Sequence, residues 1–267
     1  MTPDLASYDL ILVNSSGGKD SQAMLDYVNT LAIHADVKDR MVVVHADLGR
    51  VEWAGTAELA ERQAKHYGIP FQKVSRPQGD LLDHVRERGM WPSPTQRYCT
   101  SDHKRGQVAK VITKLNRLAV HREETLGEVY RVLNCMGLRA EESPARAKKP
   151  TFQKDARASN QTRHVDTWLP IQDWPEAEVW ANIRASGVEH HQAYDLGMPR
   201  LSCVFCIFAP RPALVLAARH NPELLDEYVA VEAAIGHTFK ASLTLAEIKA
   251  EADAGEPVGA MNGNWCL

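Results

Sequence analysis

The sequence predicts an α/β protein: a doubly wound, mainly parallel sheet followed by a helical C-terminal appendage. Three observations carry this expectation. Short β-branched apolar runs alternate with segments whose apolar residues recur at helical spacing, the pattern of strand–helix–strand units. The first run delivers the chain into a glycine turn and then a helix. From Pro210 onward only helical periodicity remains.

Leu10-Ile11-Leu12-Val13 reads as the first buried strand, and Met24, Leu25 and Val28 mark the inner face of the helix that follows. Met41-Val42-Val43-Val44-His45 is a second strand, ending in Ala46-Asp47-Leu48-Gly49. That turn lies at the carboxyl end of a strand, where open α/β sheets bind ligands. Gly55 to Tyr67 reads as a helix with Leu59 and Ala60 inward and Gly68 as its stop. Ile69 to Val74 is a third strand, and Asp80 to Arg88 a helix ended by Gly89. Trp91 to Arg97 is proline-broken loop. Ser101 or Asp102 is expected to cap a helix whose apolar face is Val108, Val111, Ile112 and Leu115. Val129 to Met136 is a strand ending at Gly137. Ser143 to Arg163, rich in Arg and Lys, reads as a ligand-ordered loop, and Trp168 to Ile171 as a short extended piece. Pro175 starts a helix through Val179, Trp180 and Ile183, and Thr244 with Glu247 forms a capping box for a late helix. The expected division is a nucleotide-binding domain over 1–209 and a helical extension over 210–267.

Composition narrows the class. Hydrophobic residues make up 44% and charged residues 24% of the 267, ordinary values for a globular chain. A net charge of −3 supplies no global attraction to polyanions, so such a partner needs a local basic patch. The acidic start, Met1-Thr2-Pro3-Asp4, lacks a signal-peptide core, and no apolar run approaches the roughly 20 residues of a membrane span. Five unevenly spaced cysteines argue against a secreted disulfide framework. A cytoplasmic protein without a membrane partner is expected, its thiols free for a metal or for chemistry.

Ser15-Ser16-Gly17-Gly18-Lys19-Asp20-Ser21 is the stretch the rest serves. Glycines let backbone approach an anion, and a helix start offers unpartnered amides and partial positive charge. Lys19 adds a full charge, and Ser16 and Ser21 add hydroxyls. This is a phosphate cradle. A Walker A loop fails, because Val13 and Asp20 stand where glycine and Ser or Thr belong. The Gly-x-Gly-x-x-Gly fingerprint of dinucleotide folds fails as well. The surviving match, Ser-Gly-Gly-x-Asp-Ser, looks like the pyrophosphate loop of the PP-loop ATP pyrophosphatases. The plain alternative is an ordinary turn capping a core helix, which leaves Lys19 and Asp20 unexplained.

Further stretches carry chemistry. Gly137-Leu138-Arg139-Ala140-Glu141-Glu142-Ser143-Pro144-Ala145-Arg146 places two arginines at a strand end and a beginning helix, and their planar forks match phosphate or sulfate oxygens. Arg97 to Lys104 carries Cys99 near basic residues, and Ser202-Cys203-Val204-Phe205-Cys206 is a Cys-x-x-Cys. Trp174 and Trp180 read as core. His190-His191 shows no metal spacing, and Cys135 reads as a core thiol that could also supply a fourth ligand.

Taken in order, these motifs resemble the phosphoadenylylsulfate (PAPS) reductase family of the PP-loop superfamily, over about Tyr8 to Phe208. The resemblance implies an adenine nucleotide alpha hydrolase-like fold. It also implies a nucleotide site over Ser15 to Ser21, Asp47, Gly49, Gly137, Arg139 and Arg146, with Lys19, Asp20 and Arg139 in catalytic roles. Two departures bear on function. Reductases of the family attack with a cysteine in a C-terminal Glu-Cys-Gly-type motif, whereas this chain ends Asn264-Trp265-Cys266-Leu267. Cys266 is either a displaced nucleophile or incidental. Iron–sulfur members carry a Cys-Cys pair, of which Tyr98 replaces the first and Cys99 remains. Cys99, Cys203 and Cys206 are therefore expected to converge on a [4Fe–4S] cluster, with zinc completed by His103 or another ligand as the alternative, or simply to pack as small hydrophobes.

The resulting expectation is an ATP pyrophosphatase using ATP with Mg²⁺ to adenylate an acceptor for sulfur transfer. DNA phosphorothioation or tRNA thiolation is the setting, with a cysteine desulfurase as donor partner and a homodimer as a possible assembly. The alternatives are a sulfonucleotide reductase and a non-catalytic ATP-binding subunit.

Overall fold

The computed structural model describes residues 2–122, 125 and 129–261. In chain order the elements are β1 (Leu10–Ser15), α1 (Lys19–His34), β2 (Met41–Ala46), α2 (Thr56–His66), β3 (Phe71–Val74), α3 (Leu81–Arg88), α4 (Tyr98–Thr100), α5 (Gly106–Arg122), β4 (Tyr130–Met136), α6 (Pro144–Ala147), β5 (Phe152–Lys154), β6 (Arg163–Trp168), α7 (Glu176–Ser186), α8 (Arg211–His220), α9 (Pro222–Ile235) and α10 (Leu245–Ala254). The chain forms two compact units. The first comprises the chain up to Ala46, Gly55–Val74 and Gly106–His191; the second comprises Asp47–Ala54, Ser75–Arg105 and the chain from Gln192 onward. The boundary expected at residue 209 falls inside the second unit.

The first unit holds a six-stranded sheet in the order β3-β2-β1-β4-β6-β5. All pairings are parallel except β5 with β6 at the edge. Side chains of β1 alternate between two layers, as a strand requires. Ile11 and Val13 pack with Met24, Leu25 and Val28 of α1, while Leu10 and Leu12 pack with Val108, Val111 and Ile112 of α5. Both faces of β1 are thus covered, which explains its uninterrupted apolar sequence. Strand order reverses between β1 and β4, so the loops leaving these two strands border the crevice in which open α/β sheets bind ligands.

The second unit is helical, with Trp91, Tyr98, Phe205, Tyr228 and Phe239 in its core beside Leu82, Leu214 and Leu245. Trp91 stacks on Tyr228 at 5.2 Å between ring centroids. Local signals set its helix ends. Asp80 and Asp83 form a capping box at the start of α3, and Thr244 and Glu247 form the expected one at α10. Among the described residues no helix is long and apolar enough to cross a membrane.

Three expectations require correction. Ser101 and Asp102 do not cap a helix: both lie in a π-helical turn, Ser101–Arg105, directly after α4. The wider turn carries His103 into the interior, where its ring lies 3.0 Å from that of His84. The basic stretch from Ser143 to Arg163 is not simply a loop. Ser143 caps α6, with Pro144 at its first position, and Phe152–Lys154 adds an antiparallel edge strand. Of the extended piece expected at Trp168 to Ile171 only Trp168 lies in a strand, as the last residue of β6, which begins at Arg163; Pro170 and Ile171 are in a turn. Polar residues inside this buried strand hid it: Asp166 is buried, yet satisfied by the Tyr8 hydroxyl at 2.9 Å and by His164.

Candidate functional site

The glycine turn after β1 is organised by its own serines. The Gly17 amide donates to Ser15 Oγ at 3.3 Å and the Ser16 amide to Ser21 Oγ at 3.1 Å. Ser21 Oγ spends its proton on the Gly18 carbonyl at 2.9 Å, so in the Ser16–Ser21 hydroxyl pair, 3.2 Å apart, Ser16 donates. Gly17 adopts φ +69°, which a side chain would strain. Gly18 is the N-cap of α1 and no side chain caps the helix there, which leaves the start of α1 open toward an anion.

Charged side chains of both signs close around this helix start. Lys19 is 3% exposed; its Nζ lies 3.3 Å from Asp20 and 3.8 Å from Glu176. Arg139, 2% exposed, donates through Nε to Asp20 at 2.5 Å and through Nη1 to Glu141 at 2.6 Å. Burial alone would lower the pKa of this guanidinium, but Asp20 and Glu141 outweigh it and hold the proton more firmly than usual. In return, the hydrogen bond from Arg139 keeps the Glu141 carboxyl below the ordinary range. Glu142 accepts from the Arg139 amide at 3.0 Å and pairs with the Arg146 guanidinium, linking the two arginines.

Gly137 makes this closure possible. A Cβ there would stand 2.9 Å from the Asp20 carbonyl oxygen and 3.0 Å from the Ser21 nitrogen, so the end of β4 touches the first turn of α1 backbone to backbone. Ser15 to Ser21, Gly137 and Arg139 therefore come together, and Arg146 joins them through Glu142. Both arginine forks engage carboxylates, so an incoming anion exchanges with these carboxylates or binds beside them. Sequence reasoning passed over Glu141, Glu142 and Glu176. The signal was available for two of them: Glu141-Glu142 follows Arg139 after a single alanine, and an acid in a helix's first turn is a common placement.

In the second unit, Asp47 and Gly49 form a tight turn in which the Gly49 amide donates to Asp47 Oδ1 at 2.7 Å. Gly49 has φ +77°, and a Cβ there would meet Asp80 Cβ at 2.4 Å. Cys99, in α4, and Cys203 and Cys206, in the loop before α8, line one cavity of about 40 Å³ with Trp91, Phe205 and Tyr228. Burial pushes the Cys203 and Cys206 thiols up, so both are neutral without a metal. An all-sulfur donor set suits soft metals. Among the described residues, no three-ligand set gathered within 4.8 Å includes these cysteines. A single tetrahedral zinc, with Zn–S of about 2.3 Å, draws its sulfurs closer than that. His103 is committed to His84. Cys135 lies fully buried in β4 in the first unit's core. Cys266 lies outside the described residues.

A parallel sheet with a serine–glycine phosphate loop at its switch point defines an α/β nucleotide-binding protein of the PP-loop type. The chain belongs to the phosphoadenosine phosphosulfate reductase domain family, whose profile matches residues 10–209. It is 28% identical over 224 residues to an uncharacterised 37.8 kDa protein of Escherichia phage 186, covering 78% of this chain and 62% of that one. It is also 28% identical over 164 residues to the adenosine 5′-phosphosulfate reductase of Allochromatium vinosum, covering 60% and 56%. The chain thus spans less than two thirds of either relative's length. A Candida auris phosphoadenylyl-sulfate reductase, solved as a phosphate complex, superposes with a TM-score of 0.48 at 16% identity, over 74% of this chain and 83% of that one.

Proposed function

We propose that this protein is an ATP pyrophosphatase that adenylates an acceptor for sulfur transfer, with nucleic acid as the acceptor and DNA phosphorothioation as the leading setting. The observation that carries this reading is the assembly at the start of α1: a glycine turn, a buried Lys19, and Asp20 held by Arg139. Fixed positive charge and backbone amides there suit a departing pyrophosphate, whose charge develops as the α–β bond breaks. ATP lays its β- and γ-phosphates on Ser16 to Ser21. Lys19 neutralises the leaving group, while Arg139 fixes the Asp20 carboxylate and, with Arg146, faces the anion. Asp20, Glu141 and Glu176 offer the hard oxygens Mg²⁺ prefers, and the ion when bound shares the charge of the leaving pyrophosphate. The acceptor oxygen becomes an AMP ester; the outer sulfur of a persulfide from a partner desulfurase displaces AMP, and a thiol reductant then cleaves the S–S bond to leave the sulfur on the acceptor. Cys99, Cys203 and Cys206 would hold a [4Fe–4S] cluster, which with three protein ligands keeps one iron open to a further ligand.

Adenylylsulfate reduction is the second reading, favoured by the relative from Allochromatium vinosum, which bears that name. The two separate in one assay. Incubation with γ-labelled ATP and nucleic acid should release labelled pyrophosphate and leave AMP esterified to the acceptor, both abolished by Lys19→Ala. Sulfite release from adenylylsulfate, lost in Cys266→Ser and independent of ATP, would replace the first reading with the second.

A further inference from the structure

The structure assigns a second anion-binding surface to the first unit, on the solvent side of α5, and we propose that it grips the phosphate backbone of double-helical DNA. Lys110, Lys114 and Arg117 project from one stripe of α5 and, with Ala109, Thr113 and Leu118, line an open groove of about 530 Å³. At 1.5 Å per residue the three cations stand about 6 and 4.5 Å apart along the helix axis. From His103 to Arg122 the sequence holds Lys104, Arg105, Lys110, Lys114, Arg117 and Arg122 and no acidic residue, in a chain whose net charge is −3.

These cations are also unneutralised. Elsewhere Arg50, Arg62, Arg76, Arg86, Arg211 and Lys249 each meet a carboxylate. Among the described residues Lys110, Lys114 and Arg117 meet none, and the one side-chain bond there runs from Lys110 to Gln107. Holding three uncompensated charges on one stripe costs self-repulsion, which a polyanion relieves. The stretch after β5 extends the surface. Arg163 donates to Thr113 Oγ1 at 2.6 Å, and Asn116 reaches Thr162, which places this loop and its exposed Arg157 alongside α5. Asp155, in the same stretch, is spent on the amides of Arg157 and Ala158.

The groove names its occupant by what lines it. It contains no aromatic side chain, so it offers no stacking platform for single strands. Lysine and arginine are the usual contacts to phosphate, and they position a duplex without reading its sequence. That the duplex is DNA rests on the acceptor proposed above; the docking surface itself does not.

The test is fluorescence anisotropy of a labelled 24-base-pair DNA duplex, titrated without ATP from 50 to 200 mM KCl. The variant combines Lys110→Ala, Lys114→Ala and Arg117→Ala, exposed helical positions where alanine preserves the helix. Wild type should bind with a steep salt dependence. The variant should bind at least tenfold more weakly at 100 mM salt, with its log–log slope reduced by about 2 to 3, near 0.9 for each phosphate no longer neutralised. Its melting temperature and its affinity for ATP should stay unchanged. The proposal is overturned by a variant that binds DNA like wild type, by wild type failing to bind duplex at 50 mM, or by preference for tRNA or phosphatidylserine vesicles over the duplex. Duplex binding without pyrophosphate release would refute only the proposed activity, and pyrophosphate release with unaltered duplex binding in the variant would refute only the docking surface.

Discussion

Gly137→Ala tests the closure of the site most sharply. The added methyl carbon would stand 2.9 Å from the Asp20 carbonyl oxygen and 3.0 Å from both the Asp20 carbonyl carbon and the Ser21 nitrogen. Ordinary contact begins near 3.4 Å, so β4 and the first turn of α1 must separate by about half an ångström. Every atom met is backbone, so no side chain can swing away. Overpacking of this kind costs about 1–3 kcal/mol, and the rigid contact places this case toward the upper end. For a chain of this size about 2 kcal/mol lowers the melting temperature by roughly 4–8 °C. The displacement falls on Asp20, whose 2.5 Å bond to Arg139 fixes the carboxylate, so nucleotide affinity should drop about tenfold or more. Gly68→Ala is the contrasting variant: nothing lies within 4 Å and only φ +65° opposes it. It should cost about 1 kcal/mol and leave nucleotide affinity intact. Urea denaturation and isothermal titration with ATP read both quantities. A Gly137→Ala protein within about 0.5 kcal/mol of wild type, with unchanged affinity, would refute the reasoning.

Other expectations follow from the same structure. Arg139→Ala leaves Asp20 with Lys19 as a remaining counter-charge and should cost about 1–3 kcal/mol; Arg139→Lys should recover little, because one ammonium cannot serve Asp20 and Glu141 as a fork does. Burial, with His84 adding to it, lowers His103 to about 4. The folded state therefore binds fewer protons than the unfolded between about pH 6.5 and 4, and stability falls as pH drops through that window. By pH 5 the loss approaches about 2 kcal/mol, measurable as a lower melting temperature than at pH 7.5, and His103→Gln should flatten the profile. Anaerobically purified protein should carry about four iron and four sulfide per chain, lost in Cys99→Ser and kept in Cys135→Ala. Iron retained in the Cys99→Ser protein would remove the cysteine trio from that role.

Most of the sheet was legible because its strands are buried on both faces and spell themselves as apolar runs. The β1 turn was legible because glycine, lysine and serine at a helix start have few structural uses. What escaped has physical causes. β6 hides behind Asp166 and His164, whose polarity is compensated only by tertiary partners such as Tyr8. The π-helical turn at Ser101–Arg105 has no local sequence signature, since Ser101-Asp102 is also a good cap. Glu176 reaches Lys19 through folding that brings α7 to α1, a contact that no spacing encodes. The two-unit division is similarly discontinuous, because Asp47–Ala54 and Ser75–Arg105 pack with the C-terminal helices although they interrupt the sheet's sequence.

The central claim is that a triphosphate's tail rests on the turn after β1. Competition binding measures it directly: inorganic pyrophosphate is titrated against a fluorescent ATP analogue on wild type and Lys19→Ala. The account predicts that pyrophosphate displaces the analogue and that Lys19→Ala weakens both at least tenfold. Pyrophosphate failing to compete, while adenylylsulfate displaces the analogue at lower concentration than ATP, would contradict it.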